Sequence, residues 1–355
     1  MINHIRYLCF EINETCYMEI VGGICMVTNS SANEIEEFIY SKLKNISPID
    51  SSVRLSLEET VEEIYRSIMS AKFRRKSICD SLKQKIRKAI VYNVQSGKPI
   101  NITFLQGCYK LWRFDESPEV DWAELFALMH YAEWIKPILL IYQPGVVFDF
   151  YVDDLIMERI SNYKRSEILS YQYSFQKVID FVMTYCPSNL HYKITTVSSQ
   201  YSSEEEFWNK LDEAVTNWIN PRDITLDASI ISMIDLNYRP ISDKQNGEYW
   251  REEIMCIHDA HSAMKERLKY REEEGKILAM PQHYSGADSR LFVGSTKDSC
   301  IKYWVGVGAL RRKKDSYVTT VLSPKQLANS NFLTQNIKIK GLDTKNFSKI
   351  RILES

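Results

Sequence analysis

From residue 96 onward, short apolar runs alternate with segments whose apolar residues recur at helical spacing. Residues 100–105 and 146–152 are β-rich runs, and residues 121–135 between them carry apolar side chains three and four positions apart. A strand followed by a helix and another strand usually pairs in parallel, because the chain has to cross back over the sheet. The sequence therefore predicts an α/β fold with a Rossmann-like, mainly parallel sheet and helices on both faces.

The rest of the chain continues this alternation and precedes it with a segment of different character. Further helices are predicted over residues 156–162, 166–185 and 249–271, and further strands over residues 191–197, 276–281, 290–293, 301–310 and 317–322. Before residue 96, an alternating stretch predicts a hairpin over residues 1–28, and helical periodicity follows it. We therefore predict two domains, an N-terminal hairpin and basic helical segment (1–95) and a Rossmann-like catalytic domain (96–355).

Bulk charge and cysteine usage exclude several classes of protein. The formal net charge is −1, so general attraction of the molecule to polyanions is not expected. Eight cysteines are scattered without a Cys-x-x-Cys pair, which is typical of reduced thiols rather than of a disulfide framework or a zinc site. No window approaches the length of uncharged apolar sequence that spans a bilayer. We predict a cytoplasmic protein without membrane contact.

Three short motifs follow one another along the predicted catalytic domain. The first comprises Gly97-Lys98-Pro99 before a strand, Lys110 in a loop, and Asp121 with Glu124 at a helix start. The second is Tyr142-x-Pro144-Gly145, a strand and Asp153-Asp154, and the third is His283 followed by Tyr303-Trp304-x-Gly306-Val307. From residue 97 to 323, these motifs resemble the isonitrile (isocyanide) synthase family of paerucumarin and spore-wall dityrosine biosynthesis.

The resemblance implies a reaction and a set of site residues. Isonitrile synthases join the amine of an amino acid to the carbonyl of ribulose 5-phosphate, a reaction that needs neither a metal nor a redox cofactor. The resemblance therefore implies a biosynthetic enzyme that acts on an amino acid or amino-acid derivative. In the family's own reaction, the co-substrate is a sugar phosphate. The residues that the resemblance points to are catalytic Lys110, Glu124, Asp153 and His283, and substrate-binding Tyr109, Asp154 and Trp304.

The catalytic candidates also have explanations in ordinary structure, and the sequence leaves both open. Lys110 follows a strand, where it can hold a phosphate or carboxylate or simply be a solvated loop lysine. Glu124, three residues after Asp121, fits an interaction with the start of a helix. Asp153 at a strand end can orient a substrate amine, act as a general base or cap the next helix. His283 can be a structural, hydrogen-bonded histidine.

Two further clusters suggest ligand sites from residue type alone. Gly294-Ser295-Thr296-Lys297 resembles half of a phosphate loop, in which Ser295 and Lys297 would bind a phosphate ester, although a polar turn explains the same residues. His258 and His261 share one face of a predicted helix, as two metal ligands would, but helices carry such pairs by chance. We predict no metal site.

A rival function follows from the most polarised segment of the chain. Residues 71–90 carry eight basic side chains against Asp80 alone, enough to follow a nucleic-acid backbone along a helix. This segment favours contact with tRNA, and with it a synthase that uses aminoacyl-tRNA to make a peptide or modified amino acid. A non-catalytic binding protein on the same fold is the other alternative, and a charge run can also be only a solvated face.

Overall fold

The computed structural model describes residues 29–47, 55–218, 231, 234–235, 238–239, 249–281, 289–314 and 316–354. Its first sheet contains five strands, β1 (Ile100–Gly107), β2 (Val146–Asp153), β3 (Leu190–Thr196), β4 (Lys276–Met280) and β5 (Leu291–Phe292). All pair in parallel, in the order β3-β2-β1-β4-β5. The predicted Rossmann-like α/β fold is confirmed.

Helices precede, separate and follow these strands along the chain. They are α1 (Asn29–Lys44), α2 (Leu57–Ile68), α3 (Asp80–Gln95), α4 (Trp122–Ile141), α5 (Ile156–Ser161), α6 (Arg165–Met183), α7 (Glu204–Thr216), α8 (Tyr249–Ser262), α9 (Lys265–Arg271) and α10 (Pro324–Ala328). Within the described ranges, no helix combines the length and the apolar character needed to cross a membrane.

Side chains of β2 alternate between two covered faces of the sheet. Phe150 packs edge-on against Phe175 of α6, with ring centroids 5.1 Å apart. On the opposite face, Tyr151 stacks on Tyr270 of α9 at 4.2 Å. Helices thus cover both faces of this strand, as is usual for a central parallel strand.

A second sheet is built from the end of the chain. Strands β6 (Val307–Lys313), β7 (Ser316–Leu322), β8 (Phe332–Asn336) and β9 (Lys349–Leu353) pair in the order β7-β6-β9-β8. The β6–β9 pair is parallel, whereas the β6–β7 and β8–β9 pairs are antiparallel. The sequence predicted strands in the regions of β6 and β7 but none at β8 or β9, so this second sheet adds to the predicted architecture.

The predicted strand over residues 301–310 is wrong in its first half. Residues 303–305 form a 3₁₀ turn, and β6 begins only at Val307. The carbonyl oxygens of this turn accept hydrogen bonds from the loop after β1 instead of from a neighbouring strand. The Tyr303 carbonyl accepts from Lys110 Nζ at 2.9 Å, and the carbonyl that follows it accepts from a main-chain amide of that loop at 2.9 Å.

The basic segment over residues 71–90 is helical only in its second half, since α3 begins at Asp80. Before that point the Arg75 amide donates to the Phe292 carbonyl at 2.9 Å, which joins the segment to the edge of the sheet at β5. This bond is incompatible with a helix through residues 71–79. The predicted continuous basic helix is therefore wrong in that stretch.

The helices before residue 96 share an apolar core with the parallel sheet. Helix α3 packs on β1 and β4, and Asn93 Nδ2 donates to the Gly275 carbonyl at 2.7 Å. The predicted hairpin over residues 1–28 lies outside the described residues. A separate N-terminal domain ending at residue 95 stays a prediction.

Helix α4 is buried between the two sheets. It contacts β2 of the first sheet and β6 and β7 of the second, and within the helix only Glu133 and Pro137 are exposed. A helix that is apolar all round is stable only where it is covered from both sides. The sequence of α4 therefore dictates a layer of helix enclosed by two sheets.

Gly308 of β6 lies against the backbone at the start of α4. A Cβ at this position would lie 2.4 Å from the Ala123 nitrogen, and the Gly308 amide donates to Asp121 Oδ2 at 3.0 Å. We expect Gly308→Ala to lower the free energy of unfolding by about 3 kcal/mol, because the opposing backbone cannot move as a side-chain end does. Urea denaturation measures the change.

The matched control for this prediction is Gly97→Ala. A Cβ on Gly97 would meet no atom within 4 Å, and its only penalty is the positive φ of 61°, which costs about 1 kcal/mol. Equal losses for the two alanine variants would contradict the packing argument at Gly308.

Candidate active site

The carboxyl ends of β1 and β2 lie side by side, with Gly107 and Asp153 in register. The strand order changes direction at β1, because β2 and β3 lie on one side of it and β4 and β5 on the other. In open parallel sheets such a switch point forms a crevice at the carboxyl edge, where ligands bind. The candidate active site lies at this edge.

Two aromatic side chains approach Gly107 closely. A Cβ on Gly107 would lie 2.5 Å from the Tyr109 ring and 2.9 Å from Trp304 Nε1, so only glycine allows both rings to reach the strand end. Tyr109 also packs on Tyr163, with ring centroids 5.1 Å apart. The structure thus brings together Tyr109 and Trp304, two of the predicted substrate-binding residues, and buries both.

Asp153 ends β2 in a two-pronged ion pair with Arg267 of α9. Arg267 Nη2 lies 2.8 Å and 2.9 Å from the two carboxylate oxygens, and Nε lies 3.1 Å from Oδ1. Burial raises the pKa of Asp153, but the Arg267 charge outweighs it and leaves the pKa below its ordinary value. Asp153 is therefore ionised at neutral pH and fixes the orientation of the guanidinium.

Further basic side chains surround this ion pair. Arg271, one helical turn after Arg267, and Arg290, just before β5, lie close enough for their charges to interact with Arg267 and Asp153. Burial and the Arg267 charge lower the pKa of Arg271 to about 10. Arg290 Nη1 lies 3.2 Å from the Met280 sulfur at the end of β4. We name Arg267, Arg271 and Arg290 the arginine cluster.

Several buried polar atoms near the arginine cluster have no hydrogen-bond partner in the part of the chain that the structure describes. They are Arg271 Nε, Arg290 Nε, His261 Nε2 and the Tyr151 hydroxyl. Burial and the Arg267 charge lower the pKa of His261 to about 3, so its ring is neutral. A buried donor without a hydrogen-bond partner lowers the stability of the fold. An anion with several acceptor oxygens would supply the missing hydrogen bonds. The arginine cluster therefore has the chemistry of a phosphate or carboxylate site.

Lys302 immediately precedes the 3₁₀ turn that carries Trp304. Burial lowers the pKa of Lys302 to about 7, while the Asp153 charge opposes the shift. Lys302 Nζ lies 5.8 Å from the centre of the Trp304 ring. A lysine amine that is partly neutral at pH 7 can accept a proton or attack a carbonyl.

Lys110 lies in a buried ion cluster with Asp121 and Glu124. Lys110 Nζ is 2.7 Å from Asp121 Oδ1, 3.0 Å from Glu124 Oε2 and 2.9 Å from the Tyr303 carbonyl. Burial lowers the pKa of Lys110, but the two carboxyl groups outweigh it and raise the pKa above its ordinary value. The three N–H donors of the ammonium thus meet acceptors of the protein, and they tie the loop after β1 to α4 and the 3₁₀ turn.

Glu124 connects this ion cluster to a chain of hydrogen bonds. The Tyr171 hydroxyl donates to Glu124 Oε1 at 3.3 Å, and Gln106 Nε2 donates to the Tyr171 hydroxyl at 3.0 Å. Gln106 Oε1 in turn accepts from the Tyr303 hydroxyl at 2.6 Å. Burial raises the pKa of Glu124 to about 8, with the Lys110 charge opposing. Protonation of Glu124 leaves one ammonium facing one carboxylate, so the buried cluster is close to neutral.

Comparison with known proteins finds a relative by structure. The chain is similar to the PvcA protein from Pseudomonas aeruginosa, whose crystal structure it matches with a TM-score of 0.52 and 13% sequence identity, over 84% of this chain and 100% of that one. The two proteins share a fold. No protein-family model and no curated protein matches the sequence.

Asp154, Ser295 and Lys297, three further predicted site residues, have contacts of their own. Asp154 is buried and accepts hydrogen bonds from the amide (3.0 Å) and hydroxyl of Ser198, which joins the ends of β2 and β3. Ser295 is buried and its Oγ donates to a main-chain carbonyl at 3.2 Å. Lys297 is exposed and lines a different cleft, between α1, α4 and β7. His283 lies outside the described residues.

At least five of the eight basic side chains in residues 71–90 are engaged within the protein. Lys72, Lys83 and Arg87 form ion pairs. Arg74 Nη1 and Arg75 Nη2 each donate to a main-chain carbonyl, at 2.8 Å and 2.7 Å. These contacts leave fewer charges for a nucleic acid than the sequence suggests. Contact with tRNA stays a prediction.

Sequence reasoning missed the arginine cluster and Lys302. One signal was available, since Arg267 and Arg271 stand four residues apart on a predicted helix and must share a face. Arg290 and Lys302 follow no motif, and the strand order alone brings them towards Asp153.

Proposed function

We propose that this protein is a biosynthetic enzyme of the isonitrile synthase kind, which acts on the amine of an amino acid with ribulose 5-phosphate as co-substrate. The observation that carries the proposal is the arginine cluster, whose unpartnered buried donors at the carboxyl edge of the sheet suit phosphate and carboxylate groups. The order of the three motifs and the fold shared with PvcA support it.

Each part of the two substrates has a counterpart at this edge. The arginine cluster binds the sugar phosphate and the amino-acid carboxylate, while the rings of Tyr109 and Trp304 form a wall for the amino-acid side chain. Asp153 forms an ion pair with Arg267 and therefore acts as a positioning residue rather than as a base. Lys110 and Glu124 stabilise the loop and helix start that carry this wall.

Lys302 provides the proton transfer that the first step requires. An amino acid reacts through its neutral amine, so its ammonium must first lose a proton. Lys302, with its pKa near 7, accepts that proton. The amine nitrogen then forms a bond to the ketose carbonyl carbon, and protonation of the former carbonyl oxygen allows it to leave as water, which yields an imine.

The test is capture of an isonitrile product. The purified protein is incubated with the common amino acids and ribulose 5-phosphate, a tetrazine traps any isonitrile, and mass spectrometry follows both. We expect one amino acid to be consumed and its adduct to appear. Arg271→Gln combined with Arg290→Gln should lower the rate roughly 100-fold, because two charge-assisted contacts are lost. Arg312→Gln, on the exposed part of β6, is the matched control and should leave the rate unchanged.

If no isonitrile adduct appears, calorimetry of ribulose 5-phosphate binding distinguishes two explanations. Binding without an adduct would preserve the anion site and reject the isonitrile reaction. Absence of both would reject the role of the arginine cluster and make aminoacyl-tRNA the leading substrate.

A further inference from the structure

A second cleft, of about 600 Å³, lies between α1, α4 and β7. Its lining includes the apolar side chains Phe126, Met129, Leu140 and Val318, which we call the floor. Small-molecule sites commonly have volumes of this size and combine apolar side chains with a few polar groups. The lining residues include no member of the arginine cluster, so a ligand here would not occupy the candidate active site.

The rim of this cleft is basic. Lys42, Lys72, Lys136 and Lys297 line it, together with the carboxylate of Glu133. Lys72 pairs with Glu133 at 2.6 Å, whereas Lys42, Lys136 and Lys297 form no ion pair within the described ranges. The four lysines and one glutamate leave three positive charges in excess at the rim. Because the whole chain has a net charge of −1, this local excess of positive charge is not a general property of the surface.

Two polar side chains mark where a ligand's polar group would lie. Lys136 Nζ donates to the Asn45 carbonyl at 2.6 Å, which holds its charge at the cleft. His130 of α4 lines the cleft with 8% of its surface exposed, and its Nε2 has no partner within the described ranges. Burial lowers the pKa of His130 to about 4, so the ring is neutral and can exchange a hydrogen bond with a ligand without adding charge.

We propose that this cleft binds a small amphipathic anion, namely a carboxylate or phosphate monoester that carries an aliphatic or aromatic portion. The apolar floor takes the hydrocarbon portion, and the lysine rim takes the charge. An inorganic ion would leave the floor uncovered, whereas a neutral hydrocarbon would leave the lysines unmatched. Lys297, which the sequence suggested as a phosphate ligand, belongs to this site.

The test uses 8-anilinonaphthalene-1-sulfonate, which joins a sulfonate to apolar rings and becomes fluorescent when bound. With the full chain we expect saturable one-to-one binding. Lys136→Gln combined with Lys297→Gln should weaken it about tenfold, because two rim charges are lost. Leu140→Trp should weaken it as strongly by filling the floor. The matched control, Lys85→Gln combined with Lys88→Gln on the exposed face of α3, should bind the dye like the parent protein.

Competition identifies the chemistry of the ligand. Octanoate and octyl phosphate should displace the dye, and the stronger competitor shows whether the site prefers a carboxylate or a phosphate. Inorganic phosphate and 1-octanol should not displace it. The proposal is overturned if 1-octanol competes as well as octanoate. It is also overturned if the lysine and tryptophan variants, with unchanged near-ultraviolet circular dichroism, bind the dye like the parent protein.

Discussion

Lys110→Met should lower the free energy of unfolding by about 3–5 kcal/mol, because Asp121 and Glu124 would then be buried without their cation. Methionine fills most of the volume of lysine, so the loss reports the missing charge rather than a cavity. The Tyr303 carbonyl would also lose its donor. Urea denaturation followed by circular dichroism measures the change.

The loss in Lys110→Met should become smaller as the pH falls from about 10 to about 8. The Lys110 charge lowers the pKa of Glu124, so its removal raises that pKa above the value of about 8 in the parent protein. In this window the folded variant keeps a proton on Glu124 that the folded parent protein releases, which offsets part of the loss, and below about pH 8 both proteins hold the proton and the loss stays constant. The matched control is the exposed Lys88→Met, which should change stability by less than about 0.5 kcal/mol. Equal losses at pH 8 and pH 10 would show that Lys110 contributes by packing.

Lys302→Met should lower the proposed catalytic rate about 100-fold, since a positioned base contributes on the order of 10²–10⁴ to such a step. In the parent protein the rate should rise with pH and level off above about pH 7, as Lys302 loses its proton. The variant should lack this rise. The pH profile of the trapped product measures both effects.

The same variant should be more stable than the parent protein in acid. The folded-state pKa of Lys302 lies below that of an unfolded lysine, so the folded protein binds fewer protons between about pH 7 and pH 10. The cost of burying the ammonium is fully present below pH 7 and disappears as the pH rises through this window. Lys302→Met should therefore gain roughly 1–2 kcal/mol at pH 6 and little near pH 10.

Lys302→Arg is the control for both effects. Arginine keeps the charge and cannot release its proton at these pH values, so it should lose activity without gaining stability. A Lys302→Met variant that loses stability together with activity would contradict the role assigned to this amine.

The parallel sheet could be predicted because local signals agree with one another over its strands. The apolar runs at residues 100–105 and 146–152 became β1 and β2, and the spacing of Asp121 and Glu124 became a reciprocal cap at the start of α4. Such agreement between periodicity, turn residues and capping depends only on neighbours in the sequence.

The second sheet could not be predicted in the same way. Strand β8 is largely exposed and lacks a regular alternation, and β9 pairs with β6, which lies far away along the chain. Tyr303 and Trp304 are aromatic residues, which favour strands, yet their carbonyls accept hydrogen bonds from the loop around Lys110. In each case a tertiary contact overrides the local preference.

The candidate site was predictable in position but not in composition. Asp153 was expected at the carboxyl edge of the sheet and lies there, whereas Lys110 and Glu124 proved to be buried in a bonded cluster. Whether a charged residue faces a ligand or a neighbouring side chain depends on packing, which the sequence does not display. The arginine cluster arises from α9 and the segment before β5, and only the folded chain brings them together.

The position of α4 between the two sheets has a consequence for folding during synthesis. Its apolar surface is covered in part by β6, β7 and β9, and Trp122 Nε1 donates to the carbonyl of Lys349 at 2.7 Å. During synthesis the helix therefore leaves the ribosome long before the residues that cover it, with its apolar side exposed to other chains. We therefore expect a chain that lacks β6, β7 and β9 to expose this apolar surface and to aggregate more readily than the chain that has them.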